Sequence, residues 1–171
     1  MKLKTLLLLT ICFSFLLNCK SSEESSKETS SEEGTNISYV DFVNPLVGSD
    51  SSFELSNGNT YPAIATPWGM NFWTPQTAEM GNGWGYTYDA YKIRGFKQTH
   101  QPSPWINDYA AFSLFPETGK LKINEDERAS WFSHKAEISK PHDYKVYLAD
   151  YDVTTEITPT DRGAQFQFTF P

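Results

Sequence analysis

The chain has 171 residues, with 14 basic against 21 acidic side chains and a formal net charge of −7. This acidic balance excludes a general nucleic-acid binder, which would carry a basic stripe, so we expect no nucleic-acid partner. A hydrophobic share of 39% and a charged share of 20% indicate a folded protein rather than a disordered one. The length allows one domain once the N-terminal segment is set aside.

Residues 1–18 have the pattern of a secretory signal peptide. Lys2 and Lys4 precede an apolar run from Leu6 to Leu17, which is too short to span a bilayer comfortably. The run ends in Leu-Leu-Asn-Cys and resembles the bacterial lipobox, so we predict that Cys19 is lipidated and becomes the new N-terminus. Its acyl chains would be the membrane anchor. The alternative is an ordinary cleaved signal peptide in which Cys19 is incidental.

Residues 19–35 follow as the lipidated cysteine and an acidic tether. From Lys20 to Thr35 the chain holds six serines and five glutamates, a composition that cannot bury enough apolar surface to fold. The acidic patch resembles the export signal of some Bacteroidetes surface lipoproteins. We therefore expect a bacterial outer-membrane lipoprotein, exposed at the cell surface or facing the periplasm.

Several kinds of chemical site are excluded by the residues present. The two cysteines are Cys12 and Cys19, so a chain that starts at Cys19 has no pair for an internal disulfide or a paired-cysteine zinc site. The three histidines show no HExxH spacing, and no nucleophile elbow or phosphate-binding loop is present. The run Glu125 to Glu127 is interpreted as solvated charge beside a turn. We therefore predict neither catalytic residues nor a metal site in this chain.

The body of the chain, residues 36–171, alternates apolar and polar residues with a period of two, which predicts strands. The clearest case runs from Tyr144 to Pro171, where two alternating segments are followed by a turn at Thr160–Gly163 and a strand with Phe166, Phe168 and Phe170. The fold class expected is all-β, an antiparallel β-sandwich. Earlier strands are predicted at Trp68–Trp73, Gly85–Tyr88, Ile93–Thr99, Ala110–Phe115 and Gly119–Ile123. Because the chain ends after its most strongly patterned strand, we expect it to be the front of a longer polypeptide.

An aromatic segment suggests a glycan-binding surface. Gly83 to Tyr88 places Trp84 and Tyr88 among glycines, and His100, Trp105 and Asp108 follow. Aromatic faces give sugars a flat apolar platform, while imidazole and carboxylate groups orient the hydroxyls. The alternative for each ring is packing in the core, and for Asp108 a turn or strand edge.

Five motifs together resemble the N-terminal domain of glycoside hydrolase family 92, the calcium-dependent exo-acting α-mannosidases. The matching segments are Asp41–Gly48, Gly58–Met70, Ile93–His100, Asn107–Pro116 and Phe166–Pro171. The resemblance implies a domain that is part of a β-supersandwich, followed in the family by a helical (α/α)₆ catalytic domain. Lys97 and Gln98 stand where the family has serine and histidine, so substrate preference is expected to differ.

The resemblance also implies the function. Family members invert stereochemistry, and their acid and base carboxyls and most of the calcium site lie in the helical domain, outside this chain. We therefore expect the chain alone to be inactive. It would contribute Trp84, Tyr88, His100 and Asp108 to binding of mannose-containing glycans, with its own C-terminal catalytic domain as partner. Trp105 is added as a binding residue from the aromatic segment itself. Two alternatives remain: a stand-alone glycan-binding surface lipoprotein, or a structural surface lipoprotein without a ligand.

Overall fold

The computed structural model of the chain describes residues 38–50, 60–78, 85–99 and 112–171. The predicted signal peptide, Cys19 and the acidic tether lie outside these residues. Residues Ile37–Pro171 belong to one compact unit. Within the described ranges, no helix is long and apolar enough to cross a membrane.

Antiparallel strands make up nearly all of the regular structure, as the alternation predicts. They are β1 (Phe72–Gln76), β2 (Lys92–Ile93), β3 (Gly95–Thr99), β4 (Ser113–Leu114), β5 (Ser130–Trp131), β6 (Ile138–Lys140), β7 (Asp143–Leu148), β8 (Val153–Pro159) and β9 (Ala164–Thr169). One sheet has the order β1-β3-β4, a two-stranded sheet joins β2 to β5, and a four-stranded meander runs β6-β7-β8-β9. The all-β class is confirmed.

The three sheets share one apolar core, which makes the arrangement a sandwich. Trp73 of β1 meets Phe166 of β9 edge to face, with ring centroids 4.8 Å apart. Buried residues come from every sheet, and removing them from water supplies the main favourable free energy of folding. The core residues are Ile64, Trp73, Ile93, Phe96, Phe132, Tyr144, Val146, Leu148 and Ile157, with Phe115, Ala164 and Phe166 packed against them.

The meander follows the alternation in the sequence most closely. Tyr144, Val146 and Leu148 of β7 are buried while their neighbours are not, because successive side chains point to opposite faces of a strand. The turn at Thr160–Gly163 is confirmed by a backbone hydrogen bond from Thr160 N to Gly163 O at 2.8 Å. In the structure β9 is an edge strand, paired only with β8.

The phenylalanines of β9 are less buried than their pattern suggests. Phe166 packs against the core and stacks on Phe168 with centroids 5.9 Å apart. Phe170 is exposed. Phe166 and Phe168 therefore share one face of β9, as predicted. Exposure rises towards Phe170, because no further layer of the described part of the chain covers that end of the strand.

Several local predictions are wrong or only partly right. The strand expected from Trp68 begins instead at Phe72, because Trp68 lies in a turn closed by a 3.0 Å hydrogen bond from Gly69 N to Thr66 O. Gly85–Tyr88 forms no strand, and neither does Gly119–Ile123. Of the strand expected at Ala110–Phe115, the described residues form only β4.

The acidic run that was interpreted as charge beside a turn forms a short helix, α1 (Glu125–Arg128). Asn124 caps it, because its side-chain oxygen accepts hydrogen bonds from Asp126 N at 2.9 Å and Glu127 N at 3.2 Å. Acidic residues in the first turn are favoured by the helix dipole. A second short helix, the 3₁₀ helix Tyr39–Phe42, opens the described residues.

Candidate functional site

Hydrogen bonds hold the segment Gly85–Tyr88 against the end of β1. Thr77 N donates to Gly85 O at 2.9 Å, and Thr87 N donates to Thr77 Oγ1 at 3.0 Å. Trp84, which directly precedes Gly85, lies outside the described residues. These bonds explain why Gly85–Tyr88 is not a strand, because its backbone groups bond to Thr77, beyond the end of β1, and not to a neighbouring strand.

Tyr88 is held on both sides of its peptide unit. Its N–H donates to Ser49 O at 3.0 Å, and its carbonyl accepts a 2.7 Å hydrogen bond from His134 Nε2. The phenol ring stacks on the His134 imidazole, with ring centroids 4.1 Å apart and an interplanar angle of 18°. Tyr88 is nevertheless 38% exposed, so a fixed aromatic surface reaches solvent.

A buried carboxylate supports His134 from behind. Glu137 Oε2 lies 2.7 Å from His134 Nδ1, and Tyr144 OH donates to Glu137 Oε1 at 2.6 Å. The Glu137 side chain is fully buried. The hydrogen bonds therefore run from Tyr144 in the core through Glu137 and His134 to the Tyr88 carbonyl.

The hydrogen-bond partners of His134 determine where its ring nitrogens carry hydrogen. A carbonyl oxygen only accepts, so Nε2 must carry a hydrogen. Nδ1 faces a carboxyl oxygen at 2.7 Å, so the imidazole and the carboxyl share one further proton, on either partner. Hydrogen bonds that involve ionised groups are shorter and stronger than neutral ones, which suits a clamp that keeps one ring in place.

Two buried phenols adjoin Glu137. Burial raises the pKa of the Tyr86 and Tyr144 hydroxyls above their usual range, and the negative charge of Glu137 raises both further. Both groups are therefore neutral donors at physiological pH. Tyr144 uses its hydrogen on Glu137, whereas the Tyr86 hydroxyl has no hydrogen-bond partner among the described residues.

Of the five predicted binding residues, the structure describes Tyr88. Trp84, His100, Trp105 and Asp108 lie outside the described residues, as does the predicted lipidation site Cys19. Phe96, which belongs to the same aromatic stretch, is fully buried in the core, so core packing is the correct interpretation for that ring.

The residue before His100 can be located. Thr99 ends β3, and its hydroxyl lies 2.5 Å from Tyr61 OH. Thr60 N bonds to Gly48 O at 3.1 Å, next to the Ser49 carbonyl that holds Tyr88. Thr60 and Tyr61 thus contact both the segment whose Ser49 carbonyl holds Tyr88 and, through Tyr61, the strand end that His100 follows.

The sequence prediction missed two kinds of residue at this site. His134 and Glu137 were not identified, and their spacing from Tyr88, 46 residues for His134, gives no local signal. Lys97 is buried in β3, and a Cβ added to Gly85 would lie 3.7 Å from its Nζ. The buried Lys97 side chain therefore lies beside Gly85.

Calcium, which the resemblance implies for the enzyme, requires six to eight oxygen ligands. No three His, Cys, Asp or Glu side chains within the described ranges lie close enough together to hold a metal ion.

Comparison with known proteins identifies the family. Residues 42–171 match the model of the glycosyl hydrolase family 92 N-terminal domain. The chain therefore belongs to glycosyl hydrolase family 92. No curated protein is similar enough in sequence to match it.

Solved structures of this family resemble the chain closely. The inverting mannosidase BT2199 of Bacteroides thetaiotaomicron VPI-5482 is 50% identical, with a TM-score of 0.74, over 86% of this chain and 19% of that protein. The α-mannosidase BT3965 of Bacteroides thetaiotaomicron is 34% identical, with a TM-score of 0.68, over 77% of this chain and 18% of that protein. BT3965 has also been solved in complex with mannoimidazole. The chain thus spans about a fifth of the length of these relatives.

Proposed function

We propose that the chain is the N-terminal β-domain of a bacterial, surface-anchored α-mannosidase that inverts stereochemistry and acts in glycan degradation. In this role the domain contributes loops to the mannose-binding cleft. The acid and base carboxyls, and most of a calcium site, would come from a C-terminal catalytic domain of the parent protein. Support comes from the family and from the two structural relatives described as mannosidases.

The proposal rests on how Tyr88 is held by His134, through ring stacking and a hydrogen bond to the Tyr88 carbonyl; we call this arrangement the Tyr88 clamp. The half-exposed Tyr88 ring stacks on His134 at 4.1 Å, and the Tyr88 backbone carbonyl accepts a hydrogen bond from the same imidazole. A ring held in this way loses little conformational freedom when a sugar packs against it. We propose that Tyr88, Trp84 and Trp105 provide apolar surface. His100 and Asp108 would hydrogen-bond the sugar hydroxyls.

Binding by the chain itself tests this role. We expect α-mannobiose to bind the full chain weakly, with a dissociation constant of about 1 mM, since one domain would contact only part of the sugar. Replacing Trp84 with Ala should weaken binding at least tenfold, while replacing the exposed Trp68 should not. Equal affinity in all three proteins would refute the proposed cleft.

The catalytic part of the proposal needs the parent protein. An immunoblot of native membranes with an antibody against residues 36–171 should detect a band several times heavier than 19.4 kDa. That protein should hydrolyse mannosides with added calcium, while the 171-residue chain should not exceed the buffer rate. A band at 19.4 kDa would favour the second candidate, a stand-alone glycan-binding surface lipoprotein.

The anchor is proposed on the sequence alone. Metabolic labelling with radioactive palmitate should mark the protein, and Cys19→Ala should abolish the label. Protease treatment of intact cells should then remove residues 36–171 if the domain faces outward. Full protection would place it on the periplasmic side of the outer membrane.

A further inference from the structure

An exposed aromatic surface surrounds Trp131 of β5. We call it the Trp131 surface; it consists of Tyr91, Lys92, Trp131 and Tyr147. The exposed fractions of its rings are 63% for Tyr91, 51% for Trp131 and 45% for Tyr147. Three exposed rings from separate segments gather on this surface, whereas exposed apolar residues that need no explanation are scattered singly.

The rings are brought together by strand pairing. Lys92 of β2 lies directly opposite Trp131 of β5, and the Tyr91 and Trp131 ring centroids are 6.4 Å apart. Tyr147 reaches the same place from β7. A cleft of about 170 Å³ opens beside them, lined by Trp131, Phe132, Ser133, Ala136, Tyr147 and Ala149. It is smaller than the roughly 300–1,000 Å³ of pockets that enclose drug-sized ligands, so it suits one ring-sized group.

Trp131 is held rigidly although its ring is exposed. Its backbone N–H donates to Asp150 Oδ2 at 2.7 Å, and its backbone carbonyl accepts a hydrogen bond from Ala149 N at 2.9 Å. The Lys92 ammonium lies 5.1 Å from the centre of the indole ring. A fixed platform loses little conformational entropy when a ligand stacks on it, which favours binding.

Fixed polar atoms border the rings. Tyr147 OH donates to Asp152 Oδ1 at 2.9 Å, and Asp152 has a backbone φ of 53°, an uncommon conformation for a residue other than glycine. Asp150 and Asp152 are both exposed. Each uses one carboxylate oxygen in the contacts just given, so the other can accept a hydrogen bond from a ligand hydroxyl.

This combination fits a sugar ring better than a protein segment. An amphipathic helix docks its apolar face into a hydrophobic groove. Here the exposed groups are flat aromatic faces beside two carboxylates and an ammonium. A pyranose presents an apolar face to such rings and hydroxyls to such polar groups.

The Trp131 surface is separate from the Tyr88 clamp. Phe132 lines the cleft beside Trp131 and also meets His134 edge to face, with centroids 4.7 Å apart, so this buried ring lies between the two sites. We propose that the Trp131 surface is a second carbohydrate-binding site, which stacks one pyranose ring of a mannose-containing glycan. The choice of mannose rests on the function proposed above.

The test reads each tryptophan separately. The full chain, labelled with ¹⁵N and kept in mild detergent, gives indole N–H signals for its five tryptophans, which Trp→Phe variants assign. We expect the Trp131 signal to shift saturably as α-mannobiose is added, also in the Trp84→Ala variant. The Trp68 signal is the matched control, because Trp68 is fully exposed and lies outside the surface. Trp131→Ala should weaken this second binding event at least tenfold.

The outcomes separate this inference from the proposed function. If the Trp84 signal shifts while Trp131 stays still, the second site is wrong and the proposed cleft stands. If Trp131 shifts alone, the second site is supported and the cleft is refuted. If neither signal shifts, or if Trp68 shifts as much as Trp131, the second site is refuted. Tyr147→Phe keeps the ring but removes the hydroxyl, and it should weaken binding less than Tyr147→Ala.

Discussion

His134 and Tyr88 form a stacked pair of rings at the candidate site, although 46 residues separate them in the sequence. Their centroids lie 4.1 Å apart, and His134 Nε2 also donates to the Tyr88 carbonyl at 2.7 Å. The same imidazole is bonded to the buried Glu137. The position of the Tyr88 ring is therefore set by His134, which is itself bonded to a buried side chain, and not by the residues around Tyr88 alone.

Removing the His134 side chain should destabilise the domain. His134→Ala deletes the stack and leaves the buried Glu137 carboxyl without one of its partners, so we expect a loss of about 2–4 kcal/mol in the free energy of unfolding by urea. Hydrogen exchange at the Tyr88 amide should also accelerate, because its bond to Ser49 O depends on the loop position. His134→Phe keeps a ring over Tyr88 and should slow that exchange again. Equal exchange in both variants would contradict the clamp.

Two buried tyrosines should respond differently to loss of their hydroxyls. Tyr144→Phe removes the donor to Glu137 Oε1 and should cost about 1–3 kcal/mol of unfolding free energy, because a buried acceptor loses its partner. Tyr86→Phe removes a buried hydroxyl that has no partner in the described part of the chain, so it should be neutral or slightly stabilising. Urea unfolding of the pair checks this. Equal costs would mean that Tyr86 bonds to a residue outside the described ranges.

Stability should decline at alkaline pH through these same phenols. Their pKa values are raised on folding, chiefly by burial, so above about pH 10 the unfolded chain releases protons that the folded chain retains. Each phenol then lowers the free energy of unfolding by up to about 1.4 kcal/mol per pH unit. Below pH 10 both forms are neutral and the effect vanishes. Unfolding measured from pH 9 to 11 should show a shallower decline for Tyr144→Phe than for the unmodified chain.

The exposed ring of Tyr88 should contribute to sugar affinity. Tyr88→Ala should weaken α-mannobiose binding about threefold to tenfold, as expected for the loss of one aromatic contact. Tyr88→Phe retains the ring and should bind nearly as well. Tyr39→Ala is the control, since Tyr39 is an exposed tyrosine in the 3₁₀ helix. Calorimetric titration separates these cases, and a Tyr88→Ala variant with full affinity would exclude Tyr88 from the site.

Gly95 permits close contact between β3 and β4. A Cβ at this position would collide with Ser113 Oγ and approach Gln76 Oε1 to 3.3 Å, so Gly95→Ala should cost about 1–3 kcal/mol. Gly163→Ala is the matched control, because its nearest neighbour, Thr160 Oγ1, would lie at an ordinary 3.7 Å. Thermal unfolding should show a lower melting temperature for Gly95→Ala alone. A similar melting temperature for both variants would show that Ser113 can move aside.

The C-terminal half of the fold could be predicted from the sequence because its signals are local. Alternation at Tyr144, Val146 and Leu148 sets the buried face of β7, and the residues Thr160–Gly163 set the last turn. The strand predicted at Ile93–Thr99 is partly right for the same reason: Gly95–Thr99 forms β3, whereas Ile93 belongs to β2 in another sheet. By contrast, Gly85–Tyr88 alternates like a strand, yet its backbone bonds to Thr77 and Ser49 instead of to a neighbouring strand. Alternation does not reveal which partner a backbone group will find.

The sequence alone determined the all-β class, the family and Tyr88 as a candidate binding residue. These follow from the alternation of apolar and polar side chains, the turn residues and the order of the motifs, all of which are local features of the sequence. Tertiary structure decided what holds Tyr88 and what surrounds Trp131. His134 and Glu137 come from a turn after β5, Tyr144 from β7 and Tyr147 from the same strand's other face. Contacts across such separations depend on how sheets pair and pack, and no spacing in the sequence encodes them.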